Sequence, residues 1–408
     1  MQARRFLFLE PDIEGHPREW LQYLLRFAIA DARRSMVWFI VAAELHAELA
    51  SELPREAEER VRLVPLRAWE HRLCTHRLLS INAFARWWTM RRYLRLTGAE
   101  IGHFLMFDQL ALPLALGLRA GGKSVSGILF RPSVHYRSLG RYRPRFGERV
   151  RDWRKALLYR LMLRNPSVGL VLTLDPYFPN YAARHYRCGD RIRSVPDPAH
   201  PPVNHTSEDA RLAESMPVDR VKFLLFGFLT ARKGVLVLLE ALRLLPRDSA
   251  QRIAVVLAGN IDPGIRNTVL AQCRSLAAER PELWLHVENR WLARGELDCM
   301  VKGCDVVLAP YQRFVGSSGV LLWAARAGRP VLTQDFGLIG RLVADHRLGL
   351  AIDAADPHAL SQAMVQMARH GSRSFFDASA AAAFVTDRMP KHFASAIFSS
   401  LFEMSDAT

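Results

Sequence analysis

The sequence lacks any uninterrupted, charge-free apolar run of about 18 residues, so no membrane-spanning helix is expected. It has only five cysteines, Cys74, Cys188, Cys273, Cys299 and Cys304, an odd and scattered set. Cys299 and Cys304 have no second pair at zinc spacing, so reduced thiols are expected rather than a disulfide framework or a zinc site. The opening residues reach Glu10 after a few apolar side chains, without the apolar stretch and small-residue cleavage site of a secretory signal. A cytoplasmic chain is the expectation. No repeat recurs at the periods of solenoids or propellers. What is present is ample: 408 residues, half of them apolar, enough to bury two cores.

Charge is distributed unevenly. Residues 1–200 carry 33 basic and 19 acidic side chains, a net of +14, whereas residues 201–408 carry 23 and 21, a net of +2. The first half therefore prefers anionic surroundings. Between Arg131 and Arg164, eleven Arg or Lys face only Glu148 and Asp152. In Val150–Arg164 the spacing lets Val150, Trp153, Leu157, Leu158 and Leu161 share one helix face, with Arg151, Arg154, Lys155 and Arg164 around it. A basic amphipathic helix with tryptophan can lie in an anionic membrane interface, and Arg86–Arg95 is similar in character. The plain alternative is a helix packed on a sheet with its arginines in solvent. No helix-turn-helix, zinc-finger or RNA-binding pattern supports nucleic acid as the partner.

Apolar runs alternate with helical spacing throughout. Strands are predicted at Arg5–Glu10, Met36–Ala43, Ile101–Phe107, Ser124–Phe130 and Val168–Leu174, and βαβ units with a parallel sheet follow. Pro196, Pro198, Pro201 and Pro202 mark a linker. A second α/β series then begins, with strands predicted at Val221–Phe226, Ile253–Ala258, Leu283–Val287, Asp305–Ala309 and Pro330–Thr333. Its helices are expected at Gly234–Leu245, Gly295–Lys302 and Ser318–Ala327.

Ligands of open parallel sheets sit where loops and helix starts gather beyond the strands' carboxyl ends. Two such loops carry suitable residues. In the first, a strand ends at Gly227 and Arg232-Lys233-Gly234 leads into a helix; exposed N–H groups, a helix dipole and two cations together suit a diphosphate. In the second, Gly316-Ser317-Ser318-Gly319 starts a helix, its small residues admitting a ligand and its hydroxyls donating hydrogen bonds. A basic residue beside glycine also occurs in ordinary solvated loops, and a serine here also serves as a helix cap.

Together these segments resemble the C-terminal domain of the family 4 glycosyltransferases (group 1), in the subgroup with a tyrosine and a Ser-Gly pair in the donor loop. The order runs from Gly227 and Lys233-Gly234 through Ala258-Gly259, the loop Asn289-Arg290-Trp291-Leu292 and Cys304–Tyr311. It continues through Ser318-Gly319, Ala327–Val331, Gly337–Gly340 and Leu348–Asp353. The resemblance implies an α/β protein of GT-B fold, two Rossmann-like domains with parallel sheets facing a central cleft. The corresponding division is 1–200 for the acceptor-side domain, 201–372 for the nucleotide-sugar domain and 373–408 for a helical segment packing back on the first. The implied donor-binding residues are Gly227, Arg232, Lys233, Asn289, Arg290, Ser317, Ser318 and Gly319. The sequence departs from the family at three points. Phe228 stands where an arginine is usual, and Val315 and Trp323 stand where two glutamates usually contact the donor sugar and the ribose.

By the same resemblance, His16 after Gly15, Asp108, Arg131 and His135 are the candidate catalytic residues of the first domain. Phe130-Arg131 fall where the family has a histidine against the donor sugar, and His135 lies just beyond. The implied reaction moves a sugar from a nucleotide diphosphate sugar to a glycan or lipid-linked acceptor, in surface polysaccharide or glycoconjugate synthesis. Retention of configuration is implied. Lys233, Arg232 and the helix start at Ser318 would stabilise the departing diphosphate, so neither metal nor cofactor is expected. There is no Asp-x-Asp pair of the kind that binds metal in the other main glycosyltransferase fold. The place of work would be the cytoplasm or the inner face of the cell membrane. The alternatives are a catalytically degenerate member acting as a glycan or nucleotide binder or scaffold, and a basic membrane- or nucleic-acid-binding protein that has kept the fold.

Overall fold

The computed structural model describes residues 4–13, 15–31, 33, 35–201 and 203–406; Glu14 and Pro202 lie outside them. The chain divides into two compact units. The first comprises Met1–His135, Pro144–Pro198 and Arg388–Thr408; the second comprises Tyr136–Arg143 and Ala199–Asp387.

In the first unit the strands are β1 (Arg5–Glu10), β2 (Met36–Val41), β3 (Val61–Pro65), β4 (Ile101–Phe104), β5 (Ser124–Leu129), β6 (Val168–Thr173) and β7 (Ile192–Ser194). They form one parallel sheet in the order β3-β2-β1-β4-β5-β6-β7. Its helices are α1 (His16–Ala30), α2 (Ala43–Glu52), α3 (Ala68–Cys74), α4 (Leu79–Thr97), α5 (Ala111–Ala115), α6 (Phe146–Met162) and α7 (Phe178–His185). Strands buried on both faces read as continuous apolar runs, and side-chain alternation then splits them between two cores. Phe6, Phe8 and Phe39 point to the layer containing Trp20, Leu24 and Phe398. Leu7, Leu9 and Ile40 point to the layer containing Trp87, Met90, Tyr159 and Met162.

The second unit has β8 (Val221–Phe226), β9 (Ile253–Ala258), β10 (Trp284–Glu288), β11 (Val306–Ala309), β12 (Val331–Gln334) and β13 (Gly349–Ile352). These too are parallel, in the order β10-β9-β8-β11-β12-β13. The helices are α8 (Ser207–Glu214), α9 (Val235–Arg243), α10 (Arg247–Ala250), α11 (Arg266–Glu279), α12 (Arg294–Gly303), α13 (Gly319–Arg326), α14 (Gly337–Asp345), α15 (Pro357–His370) and α16 (Ala378–Asp387). The last helix, α17 (Pro390–Asp406), belongs to the first unit. There Phe402 meets Phe6 with ring centres 5.1 Å apart, and Phe393 meets Trp20 at the same separation.

Both sheets are doubly wound, with strand order reversing between β1 and β4 and between β8 and β11. A crevice opens at each reversal, beyond the carboxyl ends of the strands, and ligands of such sheets bind there. Three strands were not predicted: β3, β7 and β13. All three are sheet edges. Arg62 and Arg193 interrupt two of them, and the third is half-exposed along its length.

Candidate functional site

In the second unit, the loops after β8 and β11 press together at the strand reversal. Gly234 has φ 78°, and a Cβ there would collide with the Pro310 carbonyl. Gly227 has φ 97°, and a Cβ on it would stand 3.3 Å from Lys233 Nζ. The left-handed backbone favours glycine at both positions, and at Gly234 there is also no space for a Cβ. The close approach sets Lys233 beside Tyr311: Nζ lies 3.3 Å from the phenol oxygen and also donates to the Phe226 carbonyl at 3.2 Å. The phenol in turn meets Ser318 Oγ at 2.9 Å. Ser318 caps α13, its Oγ accepting from the Val320 N–H at 3.4 Å. A cation, a phenol, a hydroxyl and a helix start are thereby joined in one line. A Cβ built on Gly319 would meet nothing within 4 Å, so the approach to this helix start is open. Such an array binds an anion by direct charge, hydroxyl donation and the helix dipole.

The other predicted donor residues are placed differently. Arg232 is exposed, its guanidinium carbon 4.7 Å from the Phe314 ring centre, and its carbonyl accepts from the Gln312 N–H. Ser317 is half-buried immediately before the cap. Arg313, in the same loop, has φ 53°, a strained backbone for a non-glycine residue. Asn289 accepts the Ile261 N–H at 3.0 Å and so ties the loops after β9 and β10 together. Arg290 is engaged by Glu288 at 3.0 Å and Glu296 at 2.5 Å, which hold its guanidinium charged and oriented within its own loop. Asn289 and Arg290 thus have internal partners, apart from the Lys233–Ser318 line.

The departures from the family also have places. Phe228 is half-exposed. Val315 is half-buried, its carbonyl accepts from Leu338, and Gly337 packs directly on its backbone. Trp323 is buried: the His200 ring lies tilted against it at 5.2 Å, and the Arg326 guanidinium lies 4.6 Å from its ring centre. Arg326 also donates to the His200 and Pro201 carbonyls and pairs with buried Asp298. Trp323 therefore helps clasp the chain as it enters this unit.

In the first unit, three of the four predicted catalytic residues gather around Phe130. His16 is exposed at the start of α1, its ring 5.6 Å from that of Phe130. The Arg131 guanidinium lies 5.2 Å from the same ring centre. Asp108 accepts the Phe130 N–H, the Tyr159 hydroxyl at 2.8 Å and the Lys155 ammonium at 3.1 Å. With these internal bonds Asp108 clamps the end of β5. His135 stands apart: it is buried, with Nε2 2.7 Å from the carboxylate of buried Asp175.

One group here was not anticipated. Glu10 ends β1 at 1% exposure, and Arg86 from α4 is buried against it at 3.9 Å. Arg86 also pairs with Asp12 at 2.6 Å and donates to the Cys74 carbonyl and the Asn82 side chain. Arg86 is therefore internal, a correction to the membrane-facing character given above to Arg86–Arg95 as a whole. Burial pushes the Glu10 carboxyl up to about 8 despite Arg86, with the Asp12 charge adding to the rise. Its Oε2 has no hydrogen-bond partner among the described residues. An acid closing an apolar run was the only local signal.

The fold is GT-B, as several solved structures show. A glycosyltransferase from Rickettsia africae aligns over 100% of both chains with a TM-score of 0.67 and 13% identity. Sucrose-phosphate synthase from Thermosynechococcus elongatus aligns over 100% of both with a TM-score of 0.70 and 15% identity. Anabaena Alr3699/HepE in complex with UDP aligns over 98% of this chain and 100% of its own, with a TM-score of 0.64 and 14% identity. Residues 220–370, containing the whole Lys233–Ser318 array, match the family described as Glycosyl transferases group 1. No curated protein sequence matches the chain. The chain thus has the GT-B fold, and the match to the group 1 glycosyltransferases lies in its second unit.

Proposed function

We propose that this protein transfers a glycosyl group from a nucleoside diphosphate sugar to a glycan or lipid-linked acceptor. The observation that carries the reading is the Lys233–Tyr311–Ser318 line at the β8–β11 reversal. The donor's diphosphate would lie along it. Negative charge developing on the leaving group would meet Lys233 and the start of α13, fixed in advance, which is where such stabilisation counts most. These groups supply the charge that a metal ion would otherwise bring, and transfer is proposed to proceed with retention. Arg232 adds a second cation nearby. In the first unit, His16 and Arg131 are the groups proposed to meet the sugar and acceptor, and Asp108 positions the Phe130 backbone between them. One structural neighbour is held with UDP, so uridine diphosphate is the first nucleotide to test.

Thermal unfolding across a panel of nucleoside diphosphates tests the reading. One of them should raise the midpoint, and Lys233→Ala should remove the rise. Absence of any shift would overturn it. Donor hydrolysis or transfer assays with that base then separate an enzyme from a binder. The binder reading, a degenerate GT-B protein, is favoured by Phe228, Val315 and Trp323 where the family keeps polar contacts.

The site of action is proposed to be an anionic membrane surface, reached through α6. No helix among the described residues is long and apolar enough to cross a membrane. Tyr159 and Met162 face inward, whereas Phe146, Val150, Trp153, Leu157 and Leu161 are exposed, Trp153 by 69%. That stripe is flanked by Arg149, Arg154 and Arg160, as an interfacial helix requires. Trp153→Glu should weaken sedimentation with anionic vesicles; unchanged binding would remove this role from α6.

A further inference from the structure

The apolar surface of the first unit extends beyond α6. Among the described residues, nineteen large apolar side chains are exposed, and fourteen lie in α3, α4, α6 and the turns beside α4 and α5. Helices α4, α5 and α6 cover the same face of the seven-stranded sheet, since Trp87, Leu114 and Tyr159 share one core beneath them. Scattered apolar residues on a surface need no explanation, but a concentration on one face does.

Its centre is an open groove of about 680 Å³ between α3 and α4, lined chiefly by Trp69, Leu73, Ile81, Phe84 and Trp88. The Trp69 and Trp88 rings lie 5.6 Å apart. The exposure does not come from loose packing. The inner side of the helix pair is tied by Glu70, which accepts from Tyr93 at 3.1 Å and from the Arg67 N–H at 3.1 Å, and pairs with Arg92. Glu70 is 1% exposed, and it is the only acid between Leu66 and Thr97, a stretch with seven arginines. Arg72, Arg77 and Arg95, in the same segment as the groove's lining residues, are exposed. An apolar trough with tryptophans, in a segment that exposes arginines and no acid, complements hydrocarbon beneath a layer of phosphates.

We propose that the α3–α4 groove is a second lipid-contacting surface, taking the acyl chains of an anionic bilayer while Arg72, Arg77 and Arg95 hold its phosphates. This rests on the reading of the first unit as membrane-bound, but not on α6. Two contacts on one sheet face hold the unit in a defined orientation, where α6 alone would leave it free to swivel about the helix axis.

The test is co-sedimentation of the full chain with phosphatidylcholine vesicles, with and without phosphatidylglycerol. Phe84→Glu/Trp88→Glu should lower partitioning onto the anionic vesicles about tenfold. Arg72→Gln/Arg77→Gln, at exposed positions that spare the fold, should lower it about fivefold per arginine at low salt and leave neutral vesicles unaffected. Circular dichroism melting of each variant separates lost binding from lost folding. Binding unchanged in both double variants would overturn the proposal. So would stabilisation by a short-chain phosphatidylglycerol below its micelle concentration, which would make the groove a pocket for one lipid. A dimer of this chain broken by Phe84→Glu/Trp88→Glu, without vesicle binding, would overturn it too. If Trp153→Glu binds normally while the groove variants do not, the proposal stands and the α6 reading falls.

Discussion

Gly234 faces the carbonyl of Pro310 with no room for a side chain between them. This one contact locks the loop after β8 to the loop after β11, and with it Lys233 to Tyr311. Gly234→Ala meets two costs, a left-handed backbone at φ 78° and overlap with the carbonyl. Denaturant unfolding should show a loss of about 2 kcal/mol or more. Nucleotide-dependent stabilisation should disappear even where the variant remains folded.

Tyr311→Phe keeps the ring that Lys233 packs against but removes the hydroxyl between Lys233 and Ser318. Nucleoside diphosphate affinity should fall about tenfold, the worth of one hydrogen bond to a charged group at the weaker end of its range. The unfolding midpoint without nucleotide should change little. Equal affinity in titration calorimetry would show that the phenol takes no part in holding the diphosphate.

Trp323 offers a sharp contrast. As part of the clasp on His200, Trp323→Phe should lower stability by about 1–2 kcal/mol and leave nucleotide affinity unchanged. A rise in KM for the sugar donor at unchanged stability would place the indole against the sugar instead.

Stability should depend on pH through Glu10 and His103, with opposite signs. Burial holds the Glu10 carboxyl up at about 8 in the fold, against 4.5 when unfolded. Its stabilising effect is therefore complete below about pH 4.5 and is lost as pH rises through about 8. Burial holds the His103 imidazole down at about 3, against 6.5 unfolded, so stability falls as pH drops from 6.5 toward 3. Between pH 6.5 and 8, of these two only Glu10 titrates. Urea unfolding should show a decline of up to about 2 kcal/mol across that window. Glu10→Gln should flatten it; a persistent slope would assign it to another group.

Much of the fold was legible because central parallel strands are apolar on both faces, as Val221–Phe226 and Ile253–Ala258 show. Edge strands bury less and tolerate arginine, so Val61–Pro65 and Ile192–Ser194 left no such run. Lys233 and Ser318 could be read because glycines flank them in short loops. The pairing of Arg86 with Glu10 and Asp12 spans more than seventy residues, and no local pattern announces it. Arg290 was legible as a cation, but its worth depended on Glu288 and Glu296, whose directions only the fold decides. His135 has the same lesson: its buried partner Asp175 lies forty residues away. Nor does chain order reveal that Tyr136–Arg143 groups with the second unit, where Tyr142 stacks on Phe336 at 5.2 Å.

The return of α17 to the first unit has a consequence during synthesis. Most of the second unit is one continuous stretch, Ala199–Asp387, so it can complete its core as soon as that stretch leaves the ribosome. The first unit, begun earlier, must wait. Phe393, Phe398 and Phe402 complete the core on one side of its sheet, and until they emerge Phe6, Phe8 and Trp20 lack these ring partners. The half of the protein made first is the half finished last.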